Sequence, residues 1–132
     1  MYSFGARSFS VWNGLSGALL FDSGNDLEKR AKTFGVYPDT RSDDKGVEPE
    51  GIALGEVNKR QLAFVGMERA NAVAIYDVTN PLSPVFLQIL IKGNGPEGIL
   101  FINQKDSPTG RSILVSSSEN DGVIKVFSPA SL

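Results

Sequence analysis

The tripeptide Pro-Glu-Gly occurs twice, at Pro49-Glu50-Gly51 and Pro96-Glu97-Gly98, each copy opening an apolar run and each followed by a matching tail. Behind the first copy come Leu62-Ala63-Phe64-Val65-Gly66, Glu68-Arg69 and Val73-Ala74-Ile75-Tyr76-Asp77; behind the second come Ile113-Leu114-Val115-Ser116-Ser117, Glu119-Asn120 and Ile124-Lys125-Val126-Phe127-Ser128. The later landmarks lie further apart than the tripeptides, which places extra residues of the second unit in the polar stretch Gln104 to Gly110. A repeat of about 40–50 residues built of short strands is the pattern of propeller blades. Ser8-Phe9-Ser10-Val11-Trp12-Asn13 adds a partial third copy and puts Trp12, Tyr76 and Phe127 at one equivalent position.

With the strands of a blade named a to d from the inside outward, the chain divides into four stretches. Residues 1–24 read as strands c and d of one blade, 25–47 as an insert, 48–92 as a complete blade, and 93–132 as strands a, b and c of another. The fold class is therefore all-β, a partial β-propeller of about two and a quarter blades with one short helix. Turn residues support the hairpins: Asn13 to Gly17 and Thr79 to Pro84 carry the Gly, Asn and Pro that tight connections need. In the insert, Asn25 with Glu28 three positions on predicts a capping box ahead of a helix reaching about Lys32.

A sheet series left open at both ends presents unpaired edges and uncovered apolar faces. Val11 and Ala18 to Phe21 at one end, and Ile113, Val115, Ile124 and Val126 at the other, are the predicted uncovered residues, so the chain is expected to form a homo-oligomer through its open sheet ends.

Composition narrows the chemistry. The chain has 132 residues, no His and no Cys, which removes Ser-His-Asp and Cys-His arrangements, disulfides, and zinc sites of nitrogen and sulfur ligands. No catalytic residue and no cofactor-binding residue is assigned. A net charge of −2 gives no field for a nucleic-acid backbone, and no apolar stretch is long enough to span a membrane. Residues Met1 to Arg7 lack the layout of a secretory signal; were the parent protein exported, its signal is expected to lie outside this chain.

Carboxylates are what remains. Blade topology sends the entrance to strand a and the b-to-c connection to one face, so Glu50, Glu68, Glu97 and Glu119 are expected there, with Asp43 and Asp44 in the loop feeding it. These six are the candidate metal ligands, and oxygen donors favour calcium or magnesium as the only ion or cofactor to consider. Arg41 and Arg69 are the expected structural partners of these acids. Repetition in both units favours a scaffolding role, since a binding or catalytic site is normally made once.

Taken together, Ser8-Phe9-Ser10-Val11-Trp12, Phe21-Asp22-Ser23-Gly24, Arg41-Ser42-Asp43-Asp44-Lys45-Gly46 running into Glu48-Pro49-Glu50-Gly51, Ala63-Phe64-Val65-Gly66, Tyr76-Asp77-Val78 and Asp106 to Gly110 resemble the choice-of-anchor I family over nearly the whole chain. The resemblance implies propeller-like repeats, an extracellular or cell-surface setting, and a C-terminal part of a longer protein. It brings no catalytic residues, although some members carry an alkaline phosphatase-like name. The expected function is a non-enzymatic binding or interaction module with a protein or glycan ligand. The alternative is a calcium- or magnesium-dependent phosphoesterase-like hydrolase working from the acidic face.

Overall fold

The computed structural model describes residues 7–91 and 93–129. The outer limits of the first and last stretches (residues 1–6 and 130–132) and Lys92 lie outside the described residues. Among the described residues nine strands form three antiparallel sheets. A two-stranded sheet pairs β1 (Ser10–Trp12) with β2 (Leu19–Asp22). The central four-stranded sheet runs in chain order through β3 (Pro49–Val57), β4 (Arg60–Met67), β5 (Ala72–Asp77) and β6 (Val85–Ile91). The third sheet holds β7 (Pro96–Ile102), β8 (Ile113–Ser118) and β9 (Val123–Phe127), also in order. One helix, α1 (Asp26–Thr33), joins the first sheet to the second, and the whole is an all-β, propeller-like arrangement.

Local chemistry accounts for the strands. The β3–β4 hairpin turns through Asn58 and Lys59, both at positive φ (52° and 64°), which gives the tight connection the twist of its strands. Strands β4 and β5 are buried on both faces and read as nearly unbroken apolar runs. On one face Val65, Met67, Ala72, Ala74 and Tyr76 pack against Phe9, Leu27 and Ala31 from the first sheet and α1. On the other, Leu62, Phe64, Val73 and Ile75 pack against Leu114, Phe101 and Phe127 of the third sheet, with Phe64 and Phe101 stacked at 5.2 Å. The central sheet is thus the shared wall of two cores.

The repeat is visible in the hydrogen-bond registers. Tyr76 stands opposite Ala63, and Phe127 opposite Leu114, which are equivalent pairs in the two units. The c–d register shifts at Val11/Trp12 and at Ile75/Tyr76, again the same place. A shift beside the Pro-Glu-Gly tripeptide recurs too, between Pro49 and Ile52 and between Pro96 and Gly98. Bulges are specific backbone features, so their recurrence shows one supersecondary plan used repeatedly. Trp12, Tyr76 and Phe127 therefore occupy matching places, with Tyr76 buried between sheets and Trp12 exposed.

Two expectations need correction. The capping box at the start of α1 does not form: Asn25 makes no side-chain cap, and Glu28 instead accepts the Val47 N–H at 3.3 Å and pairs with Arg7 at 3.3 Å. Tertiary partners take a carboxylate that local geometry would have turned back on the helix. Val11 and Phe21 are not uncovered either; both pack inward against the first core, while Trp12, Leu15, Ala18 and Leu19 are exposed at that end. At the other end Ile124 and Val126 are indeed exposed.

Candidate functional site

The loop preceding β3 and the connection between β4 and β5 meet at one end of the central sheet. Glu68 and Arg69 donate their backbone N–H groups to the carbonyls of Glu48 (3.0 Å) and Val47 (3.2 Å), which fixes the approach of the loop. The third sheet repeats this pair of bonds, from Glu119 to Gly95 (2.9 Å) and from Asn120 to Asn94 (3.2 Å). Glu48 and Gly95 are thus equivalent positions, and both adopt positive φ, 50° and 69°. Glycine takes that conformation freely, whereas a residue with a Cβ is strained there. The second unit uses glycine and the first holds a glutamate in the same backbone shape.

The Glu48 side chain is buried, with the whole residue 3% exposed. Arg41 Nη2 donates to its Oε1 at 2.7 Å and also meets Asp44 Oδ2 at 2.8 Å. Its Oε2 receives no hydrogen bond; Lys45 Nζ and Arg69 Nε each stand 3.6 Å away. Arg7 braces the loop by donating to the carbonyls of Ser42 (2.8 Å) and Asp44 (2.9 Å). Glu68, also buried, meets Arg69 Nη1 at 3.1 Å.

Glu48, Glu50 and Glu68 each bring one carboxylate oxygen within 4.8 Å of the others. Among the described residues they are the one set of three or more acids so placed. Electrostatics separate the two buried members. Burial alone would push the Glu48 carboxyl up, but the Arg41 hydrogen bond and the charges of Lys45 and Arg69 hold it below the usual range. Glu68 is pushed up, first by burial and then by the neighbouring carboxylates Glu50 and Glu48, with Arg69 opposing.

Of the acids singled out from sequence, the fold brings Glu50 and Glu68 together and leaves the others apart from them. Asp44 is engaged by Arg41, and Asp43 is exposed on the same loop. Glu97 and Glu119 lie exposed at the corresponding end of the third sheet, outside the three-acid group. Arg41 and Arg69 both contact Glu48. Sequence reasoning passed over Glu48 itself. The signal was present, because aligning the units on their Pro-Glu-Gly tripeptides sets Glu48 against Gly95 just before each proline.

Three sheets with recurring bulges, arranged around a shared central wall, define an all-β repeat protein of propeller-like build. The chain belongs to the choice-of-anchor I domain family, whose model matches residues 1–81. It is similar to gigasin-3a of Magallana gigas, at 26% identity over 96% of this chain and 57% of that protein. It is also similar to the mesenchyme-specific cell surface glycoprotein of Strongylocentrotus purpuratus, at 28% identity over 84% of this chain and 17% of that protein. The chain therefore spans just over half of one curated relative and about a sixth of the other. No solved structure matches it.

Proposed function

We propose that this chain is a non-enzymatic interaction module of a surface or secreted protein, and that it associates through the uncovered faces of its sheets. The observation that carries this reading is the pair of apolar faces left open on either side of the structure. On the central sheet Ile52 and Leu54 lie on the face whose Val65, Met67 and Tyr76 belong to the first core, yet Leu54 is 68% exposed. On the third sheet Leu100, Ile124 and Val126 form the opposite open face, with Ile124 70% exposed. Apolar patches of this kind mark interaction surfaces. The sea urchin relative, by its name a cell-surface glycoprotein, supports the extracellular setting, and the chain's lack of His and Cys favours binding over hydrolysis of phosphate esters.

A second copy of the chain is the expected first partner, and a protein or glycan ligand would then use the faces formed at the sheet ends. Light scattering across micromolar concentrations tests the association. The mass is expected to exceed that of one chain, and the double variant Leu54→Lys, Ile124→Lys is expected to return it to one chain with the fold intact by circular dichroism. A wild-type mass of one chain throughout would overturn the reading.

A further inference from the structure

We propose that Glu48, Glu50 and Glu68 form a binding site for a divalent hard cation, calcium, at the entrance to β3. Three independent features converge there. The three carboxylates come within 4.8 Å of one another, a spacing that one ion could bridge with small side-chain movements. Glu48 is buried and its Oε2, with Oε1 already engaged by Arg41, takes no hydrogen bond. A buried carboxylate oxygen without a hydrogen-bond donor calls for a compensating group, and Lys45 and Arg69 at 3.6 Å supply charge but no hydrogen bond. Finally, Glu48 holds positive φ where the equivalent position of the next unit is Gly95. The backbone plan does not require a side chain at this position, so the strain is borne for the carboxylate.

The same comparison separates this site from scaffolding. A packing device of the repeat would recur in both units, but the second unit has Gly95 and Asn120 where the first has Glu48 and Arg69. A side chain on Gly95 would run into the Asn120 amide nitrogen at 2.5 Å, so that position is filled by a neutral group. Glu50 and Glu68 recur as Glu97 and Glu119, but Glu48, the acid that completes the group of three, is made once. Among the described residues Arg41, Lys45 and Arg69 pair with Asp44, Glu48 and Glu68, whereas Glu50 has no ion-pair partner. Lys45 and Arg69 are half-exposed and 3.6 Å from Oε2, and they are the groups an arriving ion would displace into solvent. Calcium is favoured over magnesium because the donors sit on a loop and a strand entrance without octahedral order, and calcium accepts irregular oxygen sets. The inference stands whether or not the sheet faces bind a partner.

Calorimetric titration of calcium chloride into the whole chain, stripped with chelator, tests the proposal, with thermal unfolding followed in parallel. Wild type is expected to give a saturable one-site isotherm and a rise in Tm at millimolar calcium, because a ligand of the folded state stabilises it. Glu50 is exposed, so Glu50→Gln is expected to leave the Tm in chelator unchanged while weakening calcium binding by at least about tenfold. Glu48→Gly, which restores the residue of the other unit, is expected to abolish binding with the fold retained. Magnesium at the same concentration should shift the Tm less. Absence of heat and shift in wild type, or an undiminished calcium response in both variants, would overturn the site, and an equal magnesium response would overturn the choice of calcium.

Discussion

Glu48 and Glu68 lie side by side, buried to a similar degree, yet their environments drive them in opposite directions. Glu48 has Arg41 on one oxygen and two cations nearby, so its ionised form is favoured by folding. Glu68 has burial and two like charges against it, so its protonated form is favoured. An unfolded glutamate titrates near about pH 4.3. Below that value Glu68 is protonated in both states and its contribution is fully present; as pH rises through its raised folded value, a buried carboxyl must ionise and that stability is lost. Glu48 contributes in the other sense, with its stabilisation present above the unfolded value and lost as pH falls through the folded one. Glu68→Gln, measured in chelator, is therefore expected to gain Tm relative to wild type as pH rises above about 4.3. A difference that stays constant with pH would show that Glu68 is not held against its charge.

The glycine of the Pro-Glu-Gly tripeptide explains how the inner strands of successive sheets sit so close. A Cβ at Gly51 would run into the Glu97 carbonyl oxygen, and one at Gly98 would meet Ser117 Oγ at 2.5 Å. At Gly51 the motif thus marks where the β3 backbone passes against that of β7, whereas at Gly98 the close neighbour is a side chain of the paired strand β8. Because the obstacle at Gly51 is backbone rather than a movable side chain, Gly51→Ala is expected to destabilise the chain by about 1–3 kcal/mol. Gly14→Ala, in a turn with open space around it, is expected to change stability by less than about 0.5 kcal/mol. Denaturant melts of the two variants check the contrast, and equal effects would remove close packing as the reason for the motif.

Across the molecule, stability is concentrated in β4 and β5 of the central sheet because these strands are covered on both faces. Strands β4 and β5 contribute to both cores, whereas β1 and β2 touch one and β9 forms the outer edge of the third sheet. Amides that open only by global unfolding belong to such doubly covered strands. Hydrogen exchange followed by mass spectrometry, at concentrations low enough to suppress association, is expected to show the slowest exchange in Leu62–Met67 and Ala72–Tyr76. The fastest strand exchange is expected in β1, β2 and β9. Protection of β9 equal to that of β5 would contradict this gradient.

The sequence by itself determined the strand class, the turns and the repeat, because alternation of apolar residues and the backbone demands of Gly, Asn and Pro are local properties that survive in a linear reading. The matching of Tyr76 with Phe127 and the recurrence of Pro-Glu-Gly were legible for that reason, as was a helix near Asn25. Only the tertiary structure decided which charges meet. Glu28 leaves its own helix end for Val47 and Arg7, Arg41 closes on Glu48 from within the loop, and Arg69 reaches it from the far side of a hairpin. Such pairings join residues 7 to 21 positions apart, and their strength depends on burial that arises only once the sheets have packed. Glu48 looked like one acid among several in a solvated loop; its strained backbone and its exclusion from water exist only in the folded chain.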